Sequence, residues 1–466
     1  MNLKTLKIRF LAGMGGILLI FLIWFLGIRL EGTPPLVKTS GISDGIRASH
    51  EISISASDEK SGLRKVLVFL ERDGKKTAVL EKVFSSTGFF GTGETKSGNI
   101  DLKIEPKKLG LEDGKTVFQI IVQDYSWRSW WHGNKSEIIR DVYIDTRPPR
   151  ITVLSQQHNI SQGGAGLVIY RLSEPCPVSG VRVGNNFFPG RSAAKLEDIK
   201  DENVYLCFIA LDYTQGSGTS LVIEAEDRAG NLVKAGFSHY IGNRKFKEDV
   251  LNISDTFLNE KMSEFDEMLE KTDISPLEKF LEVNRKFRVV NTEHFIKLGE
   301  QTENILYWQE FFLRMPGTAP QAGFADHREY RYNGQKIDAQ VHLGVDLASL
   351  AQAPIPAANN GKVVFTGYVG IYGETVMIDH GFGVFSLYSH LSSIDVKPGQ
   401  TVSRGDIIGR TGTTGMAGGD HLHFGMLVHN TFVNPLEWWD PAWIKNHINL
   451  KIKEIKGNKT DRRSTR

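Results

Sequence analysis

Five side chains near the C-terminus could together hold a metal ion and transfer protons. His342 and Asp346 are four positions apart, His390 lies farther along, and His421 and His423 flank a single leucine. Imidazole nitrogens and carboxylate oxygens are good zinc ligands, and hydrolytic zinc sites keep one coordination position open for water. Three of the five side chains could supply such a ligand set, which leaves two imidazoles to move protons.

His421 and His423 belong to a segment that is predicted to be a strand. Side chains alternate faces along a strand, so both histidines project to one side while Leu422 and Phe424 point into the core. Two histidines in this arrangement could instead be exposed or hydrogen-bonded residues that bind no metal. The pair alone therefore does not establish a metal site.

Extended backbone also places the other three side chains. Gly344 disfavours a helix between His342 and Asp346, and an extended run puts these two side chains on one side. His390 ends a strand that contains Tyr388, and alternation puts both side chains on the same face. Each pattern alone is a weak signal, and their combination is what is specific.

The five residues lie within sequence runs that are typical of one family. The runs are Gly344–Ala348, Ala357–Val363, Ile378–Gly381, Leu387–Leu391, Val402–Gly409 and Gly412–Gly415. They closely resemble the lysostaphin/LytM-type zinc endopeptidases of bacterial cell walls, over roughly a quarter of the chain. The resemblance implies a β-rich peptidase domain with the duplicated hybrid motif, which we place at residues 315–441.

The resemblance also implies a role for each of the five side chains. It makes His342, Asp346 and His423 the ligands of a zinc ion, and it makes His390 and His421 the catalytic histidines that flank the attacking water. All five positions are occupied, unlike in degenerate members of the family that have lost zinc. The implied substrate is the peptide stem of peptidoglycan.

Elementary chemistry agrees with these roles. Two neutral imidazoles and one carboxylate leave bound zinc with a positive net charge, so the ion remains a strong Lewis acid. The chain contains no His-Glu-x-x-His sequence whose glutamate could act as the base. An imidazole must therefore accept the proton of the water, and another must stabilise the oxyanion or protonate the leaving amine. We expect His390 and His421 to share these two roles, and the sequence does not decide which residue has which.

The N-terminal segment is predicted to anchor the chain in a membrane. Residues 10–28 are 19 consecutive residues without a charge, long enough as a helix for a hydrocarbon layer of about 30 Å. Lys4, Lys7 and Arg9 precede this segment and favour a cytoplasmic N-terminus. No small-x-small cleavage site follows it. We therefore assign residues 1–31 to an uncleaved anchor of the cytoplasmic (inner) membrane, with the bulk of the chain on the periplasmic side.

Composition excludes one class of function and leaves the state of the cysteines open. The net charge is +2, with 56 basic and 54 acidic residues, so nothing indicates a nucleic-acid binder. A length of 466 residues predicts about three domains. Cys176 and Cys207 are too few for a thiolate zinc site, and they are either bridged or buried as thiols.

Two β-rich segments separate the anchor from the rest of the chain. Residues 51–56 alternate apolar and polar side chains, as in a half-buried strand. The consecutive prolines at 148–149 forbid ladder pairing and indicate a boundary. Both segments, 33–146 and 147–243, resemble the immunoglobulin-like β-sandwiches of bacterial surface proteins. Such modules would offer surfaces to protein partners in the cell envelope.

Helical periodicity replaces the strand pattern at residues 247–314. Apolar side chains from Leu258 to Leu269 recur on one helical face, and a capping box at residues 275–278 begins a second helix. Residues 302–314 are a third amphipathic candidate. We expect these helices to form a connector packed on the peptidase domain, where they could cover its groove.

The chain as a whole is therefore predicted to be mainly β and multi-domain. It would comprise one transmembrane helix, two β-sandwiches, a helical connector and the peptidase domain. Residues 445–466 form a basic tail that we expect to be disordered from Lys451 onward, with weak attraction to an anionic surface as the alternative.

The leading hypothesis is a membrane-anchored zinc metalloendopeptidase that hydrolyses peptide cross-links of bacterial peptidoglycan during cell-wall remodelling. In a wall without pentaglycine bridges, the bond cleaved would join D-alanine to the diamino acid. The alternative is a regulator or scaffold that cuts nothing and instead activates wall amidases or binds envelope partners. The sequence leaves the oligomeric state and the partner proteins open.

Overall fold

The computed structural model describes residues 3–88, 91–196, 199–270 and 273–457. Strands outnumber helices, which confirms the mainly β, multi-domain prediction. The chain separates into two compact units. The first is Met1–Pro149 with Glu226–Leu232, and the second is Arg150–Ala225 with Val233–Arg466.

An apolar helix, Leu3–Arg29, begins the described chain. Its segment Ile8–Gly27 is 20 residues long, has a mean hydropathy of 2.3 and is not buried in the protein. A helix of this length spans about 30 Å, which is enough to cross a bilayer. The predicted apolar helix is confirmed, and a helix of this kind is found both in membrane anchors and in signal sequences.

The first unit contains two sheets that share one core. Side chains of the strand His50–Ser57 alternate between buried and exposed, and Ile52 and Ile54 are buried in the same core as Val66 and Val68 of the other sheet. One sheet has the strand order Leu36–Ser40, His50–Ser57, Ser97–Ile104. The other has the order Gly45–Ile46, Lys135–Ile144, Gly114–Asp124, Leu63–Arg72, Lys75–Val83. The immunoglobulin-like classification of this unit remains a prediction.

The second unit begins with another β-rich segment. Its central strands, Ala165–Leu172 and Val204–Ala210, pair antiparallel and are almost wholly buried. Cys176 and Cys207 are both buried and are not joined in a disulfide. The sheets have the orders Arg191–Ser192, Val204–Ala210, Ala165–Leu172, Ile151–Val153, then Asn186–Pro189, Val178–Val183, Leu221–Glu226, Leu232–Gly236, and then His158–Ser161, His239–Gly242.

One large sheet dominates the C-terminal part of the second unit. Val345–Ala348 pairs with His421–Val428, which in turn pairs with Val384–Ile394. The full order is Ala319–Ala322, Val345–Ala348, His421–Val428, Val384–Ile394, Gly373–Asp379, Gly361–Val369, Thr401–Val402, with Pro354–Pro356, Ile407–Thr411 and Thr431–Val433 at its margins. A smaller sheet has the order Glu248–Asn252, His327–Tyr332, Gln335–Val341.

Short helices precede and follow the large sheet. Ser275 and Glu278 form the predicted capping box, which is confirmed. The apolar side chains of the predicted stripe from Leu258 to Leu269 are buried. The helix that carries the first of them ends at Met262, and a 3₁₀ turn, Ser263–Phe265, follows it. The helices are Asp255–Met262, Pro276–Glu282, Arg288–Leu298, Pro435–Trp439, Pro441–Ile444 and Leu450–Gly457, with π-helical turns at Val283–Phe287 and Lys445–Asn449 and a short helix at Arg128–Trp131 in the first unit.

Residues 302–314 form an irregular segment, so the predicted third helix is wrong. The amides of Phe312 and Leu313, which a helix would use internally, donate instead to the carbonyls of Trp438 and Ala358, at 2.9 and 2.7 Å. These tertiary hydrogen bonds satisfy the backbone and override the local periodicity. The segment is therefore packed on the C-terminal part of the chain in an extended form.

The predicted disorder of the tail is wrong for its first residues. Leu450–Gly457 is a helix, and the buried Lys451 Nζ donates to the carbonyl of Leu167 at 2.9 Å. Burial lowers the pKa of Lys451 to about 8. The prediction for residues 458–466 lies outside the described residues.

Replacement of Phe312 by alanine should destabilise the second unit by about 3–5 kcal/mol. The Phe312 ring is fully buried against Trp308 and Trp438, so its truncation leaves a cavity. Urea unfolding followed by tryptophan fluorescence measures the change. The control is Leu350→Ala, which removes an 86% exposed side chain and should change the free energy of unfolding by less than about 0.5 kcal/mol. Equal effects of the two substitutions would contradict this description of the core.

Candidate metal centre

Strand pairing brings two of the five predicted site residues together. Asp346 lies directly opposite His423 in an antiparallel pair of strands. Opposite residues of such a pair have their side chains on the same face, about 5 Å apart. His421 is two positions from His423 and shares that face, while Leu422 and Phe424 are buried in the core on the other face.

The three predicted zinc ligands meet at one point. His342 Nε2 lies 3.0 Å from Asp346 Oδ1 and 2.9 Å from His423 Nδ1. His423 Nδ1 lies 2.9 Å from Asp346 Oδ1, which closes a triangle of buried atoms able to hold a metal ion. A tetrahedral zinc ion with bonds of about 2.0–2.1 Å holds its ligand atoms roughly 3.3 Å apart, close to this arrangement.

Neighbouring groups determine which atoms of the ligands face the centre. His342 Nδ1 donates to the carbonyl of Gly323 at 2.8 Å, so its Nε2 presents a lone pair. A Cβ atom at Gly344 would come within 2.5 Å of His423 Nε2, so the glycine makes room for that ring. Two imidazole lone pairs and a carboxylate oxygen need a proton or a cation between them. Their chemistry therefore fits a zinc ion.

His390 and His421 lie beside these ligands, with their ring centroids 4.9 Å apart. The Nδ1 atoms of the two rings donate to the carbonyls of Thr414 and Gly419, at 2.8 and 2.7 Å. His421 Nε2 is 3.6 Å from Asp346 Oδ1. In each ring the Nε2 atom remains available to accept or donate a proton beside the metal centre.

His390 reaches this group because its backbone is left-handed. Tyr388 lies opposite Phe424 on the core face, so regular alternation would put His390 there too, as predicted from the sequence. That part of the prediction is wrong. The φ angle of His390 is +65°, the strand pairing is irregular on either side, and the ring lies 5.8 Å from that of His423. A non-glycine residue at positive φ costs of the order of 1–3 kcal/mol, a strain that clusters at functional sites.

Burial and charge set the protonation of these groups. Burial disfavours a charge on Asp346, but electrostatic attraction to His342 and the other surrounding histidines outweighs burial and holds the pKa of its carboxyl well below its usual value. Burial lowers the pKa of His390 well below its usual value and that of His423 to about 4. Burial also opposes a charge on His421, but the nearby carboxylate of Asp346 outweighs this effect and raises the pKa. Burial therefore keeps both His423 and His390 neutral at pH 7.

Arg328 completes the surroundings of Asp346 and was not predicted. Its Nη2 lies 2.8 Å from Asp346 Oδ2, so only Oδ1 faces the metal centre. Arg328 is in a strand that precedes the sequence runs of the resemblance. Alternation along that strand is the signal that could have identified Arg328. It puts Arg328 on the same face as the buried Tyr330, whereas His327 and Arg331 are exposed.

A cavity of about 500 Å³ opens onto the five side chains. Part of its wall comes from outside the large sheet and includes Asn252, Phe257, Phe280 and Arg288. The five site side chains belong to residues that are only 4–8% exposed. The connector therefore lines the groove and limits access to it.

Comparison with known proteins concerns the part of the chain that holds this centre. Residues 340–435 match Peptidase family M23. The DD-carboxypeptidase/endopeptidase Mpg of Neisseria meningitidis serogroup B is 39% identical over 97 residues, which are 21% of this chain and 22% of that protein. The peptidoglycan DD-endopeptidase ShyA of Vibrio cholerae is 41% identical over 96 residues, again 21% of this chain and 22% of that protein. The chain thus matches about a fifth of the length of these relatives.

Among solved structures, the catalytic domain of lysostaphin from Staphylococcus simulans is 29% identical, and the match covers 26% of this chain and 92% of that one with a TM-score of 0.23. All five residues of the candidate centre fall within the family match. The predicted family resemblance is confirmed: the chain carries a domain of peptidase family M23 at residues 340–435.

Proposed function

We propose that this chain is a membrane-anchored, zinc-dependent metalloendopeptidase that hydrolyses peptide cross-links of bacterial peptidoglycan. The observation that carries the proposal is the convergence of His342 Nε2, Asp346 Oδ1 and His423 Nδ1 within 3.0 Å of one another. We assign these three side chains as zinc ligands. His390 and His421, whose rings lie beside them, are assigned as the catalytic histidines.

The names of the matched relatives support this choice of substrate. Mpg is named a DD-carboxypeptidase/endopeptidase, and ShyA is named a peptidoglycan DD-endopeptidase. By similarity, the peptide stems of peptidoglycan are the substrate here, and the bond cleaved joins D-alanine to the diamino acid of a neighbouring stem. Because the similarity covers 22% of each relative, this inference rests on the peptidase domain.

The side chains of the site provide the rest of the chemistry. A bound zinc ion would supply a Lewis acid that polarises the scissile carbonyl and activates water. One of His390 and His421 can accept the proton of the attacking water, while the other donates to the oxyanion or to the leaving amine. Low exposure keeps bulk water away, which strengthens each electrostatic interaction in the site.

The N-terminal helix supports a location for this reaction at the outer side of the cytoplasmic membrane. Residues 8–27 can cross a bilayer, and the basic residues Lys4, Lys7 and Arg9 precede them. By the positive-inside rule, the N-terminus is cytoplasmic and the bulk of the chain lies on the periplasmic side, where peptidoglycan is found. In sequence, residues 33–243 separate the anchor from the peptidase domain and could bind envelope partners.

A regulator or scaffold that cuts nothing is the second candidate function. The low exposure of the site residues, 4–8%, favours it, because a cross-linked polymer needs an open groove. Such a protein would act by binding and activating wall amidases. Hydrolysis distinguishes the two candidates directly.

Purified cross-linked muropeptides, incubated with the detergent-solubilised full chain, should be converted to monomers in a zinc-dependent reaction. A chelator should abolish the conversion and added zinc should restore it, because the proposed reaction needs the zinc ion as its Lewis acid. Liquid chromatography with mass spectrometry measures the dimers and monomers. Dimers that persist in the presence of zinc, together with activation of an added amidase, would favour the regulator.

Replacing His423 by alanine should abolish zinc binding, because the two ligands that remain hold the ion poorly. Elemental analysis should give about one zinc per wild-type chain, as for a single three-residue centre, and close to none for the variant. His327→Ala changes an exposed histidine outside the centre and serves as the control. Stoichiometric zinc in His423→Ala would show that the ligand assignment is wrong.

His390→Ala should retain zinc and lose turnover by about 10²- to 10⁴-fold, because a group that transfers protons is removed while the ligands remain. The muropeptide assay and elemental analysis of the same sample provide both readouts. A variant that has lost its zinc would require His390 to be reassigned as a ligand.

Arg328→Met should weaken zinc binding by about 10- to 100-fold, because Asp346 loses the partner that orients it. Competition with a chromophoric chelator measures the affinity, and Arg328→Lys should restore part of it. The matched control is Arg331→Met, which removes an exposed arginine from the same strand. Equal affinities for Arg328→Met and the wild type would show that this ion pair does not support the ligand.

A further inference from the structure

A second arginine, Arg288, lines the cavity from the side of the connector. It is the first residue of the helix Arg288–Leu298 and directly follows the π-helical turn Val283–Phe287. Turns of this type occur frequently at functional sites, because the extra residue redirects the side chains that follow. Arg288 also lies outside the segment that matches the peptidase family.

Buried polar groups hold the Arg288 side chain in one orientation. Asn284 Oδ1 accepts from Arg288 Nη2 at 2.7 Å and from Nε at 3.3 Å. Asn284 is itself fully buried, and its Nδ2 donates to Asp338 Oδ2 at 2.7 Å. Asn284 and Asp338 thus fix the orientation of the Arg288 side chain before any ligand binds, as a preorganised binding group requires.

The opposite edge of the same guanidinium has no hydrogen-bond partner among the described residues. No hydrogen bond of the described residues involves Arg288 Nη1, and no carboxylate oxygen among them lies within 4.0 Å of this arginine. Arg328 differs, since it is paired with Asp346. Arg288 therefore presents an open fork of donors, the geometry that binds a carboxylate through two hydrogen bonds.

Two other charged groups that line the cavity, Asp249 and Asp346, are paired with cations, whereas no cation of the described residues pairs with Asp420. Asp249 lies 3.5 Å from Lys247, and Asp346 is bound by Arg328. Arg288 lines the same cavity as the five site side chains, and no carboxylate of the described residues lies within 4.0 Å of it, so an anion in the cavity can pair with it.

We propose that Arg288 binds a free carboxylate of the stem peptide and so selects anionic over amidated cross-links. The proposal rests on the proposed function for its substrate, since stem peptides carry carboxylates near the bond to be cleaved. Arg288 would act in binding, with no part in proton transfer. Its loss should therefore change KM and leave kcat nearly constant.

The test compares cross-linked muropeptides that have free carboxylates with the same muropeptides converted to carboxamides. The full-length wild type should prefer the carboxylate form. Arg288→Gln should raise KM for that form by about 10- to 100-fold, the size expected for a hydrogen bond to a charged group. The variant should leave KM for the amidated form unchanged. Arg288→Lys keeps the charge but loses the fork, so its KM should be intermediate.

Arg285→Gln is the matched control, because Arg285 lies in the π-helical turn just before Arg288, pairs with Asp338 and does not line the cavity. It should leave both KM values unchanged. Equal changes for the two substrates in Arg288→Gln, or no change for either, would overturn the proposal.

Equilibrium binding separates this proposal from the proposed function. If the wild type cleaves neither substrate, the proposed function fails, and the binding of the intact muropeptides still tests Arg288. Weaker binding of the carboxylate form alone to Arg288→Gln supports the subsite. Identical binding of both forms to the wild type and the variant overturns it.

Discussion

Mutual repulsion among three electron-rich atoms is the constraint on which this site depends. Two imidazole nitrogens and one carboxylate oxygen are held within 3.0 Å of one another, in a place where water is scarce. Strand register enforces their meeting, because Asp346 is opposite His423 in the sheet. A slip of one residue would turn Asp346 to the other face. The sheet thus creates a position that could hold a divalent cation.

Local periodicity predicted the part of the site that depends on regular strands. His421 and His423 share a face because alternation has a period of two, and the structure places them as expected. Periodicity failed where distant contacts decide the backbone. Residues 302–314 have a helical pattern, but the amides of Phe312 and Leu313 donate to the carbonyl of Trp438, in a short helix, and to that of Ala358, in a loop between strands. His390 has a left-handed backbone, which no alternation rule describes.

Features that are particular to this chain lie next to the family domain rather than within it. Arg328 reaches the outer oxygen of Asp346 from the small sheet, and Arg288 faces the cavity from the connector. Both precede residue 340, where the family match begins. The common domain would supply the bond-breaking chemistry, and these preceding elements would set ligand orientation, access and substrate preference. Residue type alone did not single out either arginine, since both occur in charged stretches of ordinary composition.

X-ray absorption at the zinc edge of the zinc-loaded full chain tests the central claim most directly. The account predicts two imidazole nitrogens at about 2.0–2.1 Å and oxygen ligands at about 2.0–2.2 Å, with no sulfur. The imidazoles should also give the multiple-scattering pattern of ordered rings. A spectrum without imidazole scattering, or with sulfur at about 2.3 Å, would contradict the ligand set of His342, Asp346 and His423.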